Sequence, residues 1–79
     1  MNRIQARIEN GNLIGKRGKK LRLKKGMSHQ QIAEKADCCR SSVALIELGN
    51  RIPSAYILAG ICIALDCSSD YLLGIYEDE

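Results

Sequence analysis

Between Gly26 and Arg51 the chain carries two apolar stripes of helical spacing with only three residues between them. That pattern leaves few ways to fold. Ser28 heads the first stripe: its hydroxyl can accept from the free amides of an opening turn, and Gln31, three residues on, completes a capping box. Ile32, Ala33 and Ala36 then share one side of a helix. Asp37-Cys38-Cys39 breaks the periodicity. Val43 and Ile46 begin a second stripe, Leu45 belongs either to it or to the outer face, and Gly49 is suited to stop the helix. Three residues are too few for a flexible linker, so the two helices must meet at a fixed angle.

At 79 residues the chain makes one domain. A domain this small buries only about 60% of its extended surface, so its core is thin. Aromatic residues make up 4% of the chain, which leaves aliphatic side chains to build that core. No apolar run approaches the ~20 residues of a membrane span. Arg3 and Arg7 near the start, with no apolar segment after them, give no secretory signal. A cytoplasmic protein is expected.

The four cysteines suggest neither metal nor disulfide. Cys38 and Cys39 are adjacent, Cys62 and Cys67 are five apart, and His29 is the only histidine, so zinc-site spacing is absent. Disulfides need an oxidising compartment that nothing in the sequence indicates. Cys38, Cys62 and Cys67 read instead as small buried apolar residues. No cofactor and no small-molecule ligand are expected.

Charge is distributed unevenly. Residues 1–25 hold nine basic side chains against Glu9 alone, a net +8, whereas the remainder holds three against eight acids, a net −5. A basic half suits a polyanion. By itself it equally suits a solvated lysine-rich helix or a membrane-surface helix, the latter only if its apolar face stayed free of the core.

In chain order, residues 1–11 form a short arm whose structure stays open. Ile4, Ala6 and Ile8 alternate with polar residues as a strand would, Ile4 and Ile8 are also one helical turn apart, and a frayed tail is a third reading. Asn12 can cap a helix from Leu13 to Lys25 with Ile14, Leu21 and Arg22 inward, ended by Gly26. Gly18 falls where that helix should offer the core a large side chain. Either Ile4 or Ile8 folds back to fill the space, or a small void remains. Pro53 keeps Ile52 out of helical geometry, and Ser54 can cap a fourth helix, Ala55 to Leu65. Its stripe of Ile57, Leu58, Ile61, Cys62 and Leu65 is core, yet Tyr56, Ala59, Gly60 and Ile63 leave it no polar side. A helix apolar all round is covered on several sides, here by a second subunit. Ser68 or Ser69 caps a last short helix closed by Gly74; residues 12–76 thus form the folded domain and 77–79 an acidic tail.

A helix, a three-residue turn and a second helix match the layout of a DNA-reading helix-turn-helix. Three blocks carry a wider likeness: G-M-S-H-Q-Q-I-A-E-K-A, C-C-R-S-S-V-A-L-I-E-L-G-N-R-I-P-S and L-D-C-S-S-D-Y-L-L-G. Through them the chain from Leu13 to Gly74 resembles the DNA-binding domain of the Cro/phage-repressor/Xre family of bacterial and phage regulators. The resemblance implies an all-α, five-helix, lambda-repressor-like fold. It implies an ion pair between Arg22 and Glu47 that ties the first helix to the third. It places Ser28 and His29 where the second helix meets the DNA backbone, although the family often has glutamine where His29 stands. Arg40 and Ser41 match the first exposed positions of the recognition helix, with Ala44 and Leu45 further along its groove-facing side. Ser42 matches a backbone-contacting position; Asn50 and Arg51, with Lys16 or Lys19, are expected phosphate contacts, a solvated role being the alternative for each lysine. Cys39 replaces the usual serine or threonine cap and is a poorer acceptor.

The implied function is sequence-specific binding of double-stranded DNA by a homodimeric transcriptional regulator, a repressor or activator acting by occupancy. The dimer contact would use Tyr56, Gly60, Ile63, Tyr71, Ile75 and Tyr76. The rival from another class is a protein-interaction module, such as the antitoxin half of a toxin–antitoxin pair. An enzyme finds no support, because nucleophile–base spacing, a metal cluster and a glycine-rich phosphate loop are all missing from the sequence.

Overall fold

Serines open three of the helices and set the frame for the rest. In the computed structural model, which describes residues 12–75, Ser28, Ser54 and Ser68 each accept a hydrogen bond from the backbone amide three residues on, at 3.1, 3.2 and 3.2 Å. Gln31 returns the favour to Ser28, its Oε1 accepting from the Ser28 amide at 2.8 Å, which completes the capping box. The described residues are all-helical, with no strand among them: α1 is Asn12–Lys24, α2 His29–Ala36, α3 Arg40–Glu47, α4 Ala55–Leu65 and α5 Ser69–Leu73. Asp37 and Asp66 end α2 and α4 in the left-handed region, with φ of 57° and 54°. A short polar side chain tolerates that conformation better than a branched one.

Two boundaries differ from expectation. Helix α1 is assigned from Asn12 itself, one residue earlier than expected, and ends at Lys24. Leu48 caps the C-terminal end of α3, and Gly49, at φ 80°, is the left-handed residue just beyond it. The arm at 1–11, Tyr76 and the acidic tail at 77–79 lie outside the described residues.

The central helix is α2, packed between α3 and α4, with α1 across α3 and α5. Its stripe of Ile32, Ala33 and Ala36 is buried, facing Val43 and Ile46 of α3 and Ile61 and Leu65 of α4. The contact between α2 and α4 is close because Gly60 permits it: a Cβ there would lie 2.5 Å from the Ala36 Cα. Gly60 therefore serves the packing of α4 on α2. Tyr71, expected at a subunit contact, faces the interior of this chain. It is 8% exposed, its ring lies 4.6 Å beneath the Arg17 guanidinium, and its carbonyl accepts from Arg17 Nη1 at 2.6 Å. A cation over an aromatic face contributes about 0.5–2 kcal/mol, and here it joins α5 to α1.

Cys62 is buried, Cys38 and Cys67 are half-buried against the core, Cys39 is exposed, and all four are free thiols. Burial, then the neighbouring Cys62, pushes the Cys67 thiol up to about 11, so it stays protonated near neutral pH and packs as a small apolar group. No described helix is long and apolar enough to cross a membrane.

Two glycines of α1 face opposite situations. A Cβ on Gly15 would fall 2.4 Å from the Ile46 carbonyl oxygen, so α1 can cross the end of α3 only with glycine there. Gly18 is buried, yet among the described residues a Cβ on it would meet nothing within 4 Å. It borders a cleft of about 20 Å³ lined by Ile14, Val43, Ile46 and Leu65 among others. The folding back of Ile4 or Ile8 lies outside the described residues. Alanine substitutions should therefore act with opposite sign. Gly18→Ala should raise stability by up to about 1 kcal/mol through helix propensity, and Gly15→Ala should lower it by about 1–3 kcal/mol through overpacking. Thermal unfolding of the two variants beside the parent checks both.

Candidate nucleic-acid interface

The residues of α3 divide cleanly by face. Val43 and Ile46 are 3% and 4% exposed and point inward. Arg40, Ser41 and Leu45 are exposed and Ala44 is half-exposed. Leu48, just past the helix, is 68% exposed. Positions 40, 41, 44, 45 and 48 recur at helical spacing, so they make one continuous outer surface. Leu45 thus belongs to the outer face rather than the core. Leu48 extends the surface and was not anticipated, although its spacing of four from Ala44 was a usable signal.

The N-terminal end of this helix is weakly fastened. Cys39 occupies the cap position with extended backbone, and its side chain makes no cap hydrogen bond. A thiol is a poor acceptor beside the hydroxyls that start α2, α4 and α5. The other end is held tightly. Glu47 Oε2 accepts from Arg22 Nε at 2.6 Å and Oε1 from Arg22 Nη2 at 3.1 Å, a two-point pair in which both side chains are largely buried. Arg22 Nη1 also donates to the Met27 carbonyl at 3.0 Å, fixing the turn before α2. His29 then joins, its Nε2 lying 3.0 Å from Glu47 Oε1. Burial by itself would push the Glu47 carboxyl up, but the hydrogen bonds from Arg22 and His29 outweigh it and hold the group below its ordinary range.

Other expected residues fall in several settings. Ser28 is occupied as the α2 cap. Ser42 is only 8% exposed, and its Oγ accepts from Arg51 Nη1 at 3.0 Å. That corrects its assignment to direct backbone contact: the hydroxyl lies beneath the surface and anchors Arg51, which is itself exposed. Asn50 is exposed in the same loop. Lys16 and Lys19 are exposed on α1, but so is Lys24, and the geometry does not single out the first two. On the far side, Tyr56 and Ile63 are each 74% exposed and Ile75 is 49% exposed. Among the described residues no group of three or more His, Cys, Asp or Glu side chains could hold a metal ion.

Three contacts escaped sequence reasoning: Arg17 with Tyr71, His29 with Glu47, and Arg51 with Ser42. The partners lie 54, 18 and 9 residues apart, and no periodicity links them.

The sequence model of a family described as "Helix-turn-helix" matches residues 19–72, a span that holds α2, α3 and α4, the second half of α1 from residue 19 on, and most of α5. No curated protein matches the chain.

Two outcomes follow from this geometry. Cys39→Ser should supply the missing cap acceptor and stabilise the domain by about 0.5–1 kcal/mol, read as a higher midpoint in urea. Because the Glu47 carboxyl sits below its ordinary value of 4.5, the stability it adds is present above that pH and drains away as pH falls through the lower folded value. Glu47→Gln should cost about 1–3 kcal/mol at pH 7 and lose less than the parent between pH 5 and about pH 3, as measured by denaturant titrations across that range.

Proposed function

The chain belongs to the helix-turn-helix family of Cro/phage-repressor/Xre-type DNA-binding domains, and from that premise we propose that it regulates transcription by binding operator half-sites as a homodimer. The observation that carries this reading is the division of α3. Its inner face is buried, its end is tied through Glu47 to α1 and α2, and its outer face carries Arg40, Ser41, Ala44, Leu45 and Leu48. A helix held rigidly with one side unpartnered suits insertion into a major groove about 12 Å wide.

Arg40, at the first turn of α3, is the principal base reader in this scheme. Its guanidinium can donate to guanine O6 and N7 together, a pairing that discriminates by about 1–3 kcal/mol. Ser41 reads beside it. Ala44 and Leu45 offer apolar contact to a thymine methyl. Ser28, His29, Asn50 and Arg51, with Lys16 and Lys19, meet phosphates and set the register, while Ser42 supports Arg51 from below. The dimer contact is reduced to the exposed apolar residues Tyr56, Ile63 and Ile75, with Tyr76, since Gly60 and Tyr71 are used internally. Two copies would read half-sites about 34 Å apart. Regulation by occupancy needs no ligand pocket, and the site of action is the cytoplasm.

Selection of duplexes from a random pool tests the scheme. A palindromic site should emerge, and with Arg40→Ala its preference should relax at one position per half-site. Lys19→Ala or Arg51→Ala should weaken all duplexes alike and flatten the salt dependence by about one unit per lost contact. If Arg40→Ala behaves like the lysine change, Arg40 is an anchor and not a reader.

A further inference from the structure

Ile14, Gly18 and Arg22 of α1 stand four residues apart, so they share one side of that helix. All three border the cleft of about 20 Å³, whose remaining lining is largely aliphatic, with Val43, Leu65 and Leu72 in it. Gly18 is buried, yet no described residue lies within 4 Å of the place its Cβ would take. Water or an aliphatic group could fill such a space. The volume suits about one water molecule, but a buried water needs two to four polar partners. The charged groups of the lining, Arg22 and Glu47, are already bonded to each other. An aliphatic end group needs no partner, and seating one removes apolar surface from water.

The segment placed to supply that group is the arm at 1–11, which joins α1 at Asn12, two residues before Ile14. Gly18 is six residues beyond Asn12, about 9 Å along the axis at a rise of about 1.5 Å per residue. Asn10-Gly11 is a dipeptide suited to reversing the chain there. Counted back from Gly11, Ile8 is three residues away and reaches about 10 Å when extended. Ile4 is seven away, reaches about 23 Å, and overshoots. The length of the connection therefore selects Ile8.

We propose that the arm folds back along α1 and seats the Ile8 side chain in the cleft beside Gly18, completing the core of its own chain. The inference goes beyond the DNA-binding reading and does not depend on it. Gly18 then has a purpose: it leaves space for a side chain that arrives from another segment, and its bare backbone admits that segment closely. A methyl group on Gly18 competes for part of the same space. The gain from Gly18→Ala should accordingly be larger once Ile8 is truncated, since substitutions at touching sites do not add.

The test uses the full chain without DNA. In methyl-labelled protein the Ile8 δ1 methyl should show nuclear Overhauser contacts to methyls of Val43, Leu65 or Leu72. Ile8→Ala should lower the thermal midpoint by about 4–8 °C, the scale of one modest apolar contact in a domain of this size. Ile4→Ala should shift it by less than half as much, as a surface substitution does. Absence of the methyl contacts, or an unchanged midpoint in Ile8→Ala, overturns the proposal. So does a larger fall for Ile4→Ala than for Ile8→Ala. Contacts seen only between differently labelled copies in a mixed sample place a second copy's arm in the cleft, and they overturn it too. If Ile8→Ala fails to fold, the contacts in the parent decide alone.

Discussion

A single carboxylate sets the geometry on which the rest depends. Glu47 ends α3, and its two oxygens receive Arg22 from α1 and His29 from α2. Three helices thereby meet at one buried charge, and through Arg22 the turn at Met27 is held as well. A charge pair at such depth stabilises little beyond what an apolar contact could, because both ions lose water. Its value is directional. Aliphatic side chains can slide over one another at small energetic cost, but a two-point guanidinium–carboxylate pair permits one arrangement. For a thin core built from Ile, Leu, Val and Ala, that fixed point decides how α3 is presented.

Close packing does the remaining work, and small residues make it possible. Gly15 lets α1 approach the end of α3, and Gly60 lets α4 approach Ala36 of α2. Arg17 spreads over Tyr71 and ties the short α5 to α1, which gives a five-residue helix a support that its own hydrogen bonds could not supply. The outcome is uneven. Core positions such as Leu65 and Leu72 are almost fully buried, while Leu48, Tyr56 and Ile63 stay more than two-thirds exposed. Exposed apolar side chains thus stand at two places on a small body. One continues the outer face of α3 and the other belongs to α4.

Much of this was legible without coordinates. The capping serines, the stripe of α2 and the limits of α4 all follow from local rules, because a helix start is decided by a few neighbouring residues. Arg22 with Glu47 was legible only through family resemblance, since no spacing rule links residues 25 apart. The close approach at Gly60 was not legible, because an apolar helix face looks alike whether a subunit or a neighbouring helix covers it. Tyr71 was misread for a related reason: a tyrosine near the chain's end suggests a surface, and nothing nearby reveals that Arg17 will cover it. Ser42 carried the right residue type for a phosphate contact, yet its hydroxyl turns inward to Arg51.

The sequence by itself determined the helices, their caps and the short turn that forces α2 and α3 together, because these depend on hydrogen bonds and periodicity within a few residues. It also determined that one end of the chain is basic and that Arg40 stands at the tip of α3. Tertiary structure alone decided which polar groups are spent inside. Glu47 gathers His29 with Arg22, Ser42 anchors Arg51, and Arg17 settles on Tyr71, each by bringing distant segments within about 3–5 Å of one another. Such pairings depend on how three helices cross, and crossing angles are set by the packed side chains of the whole core.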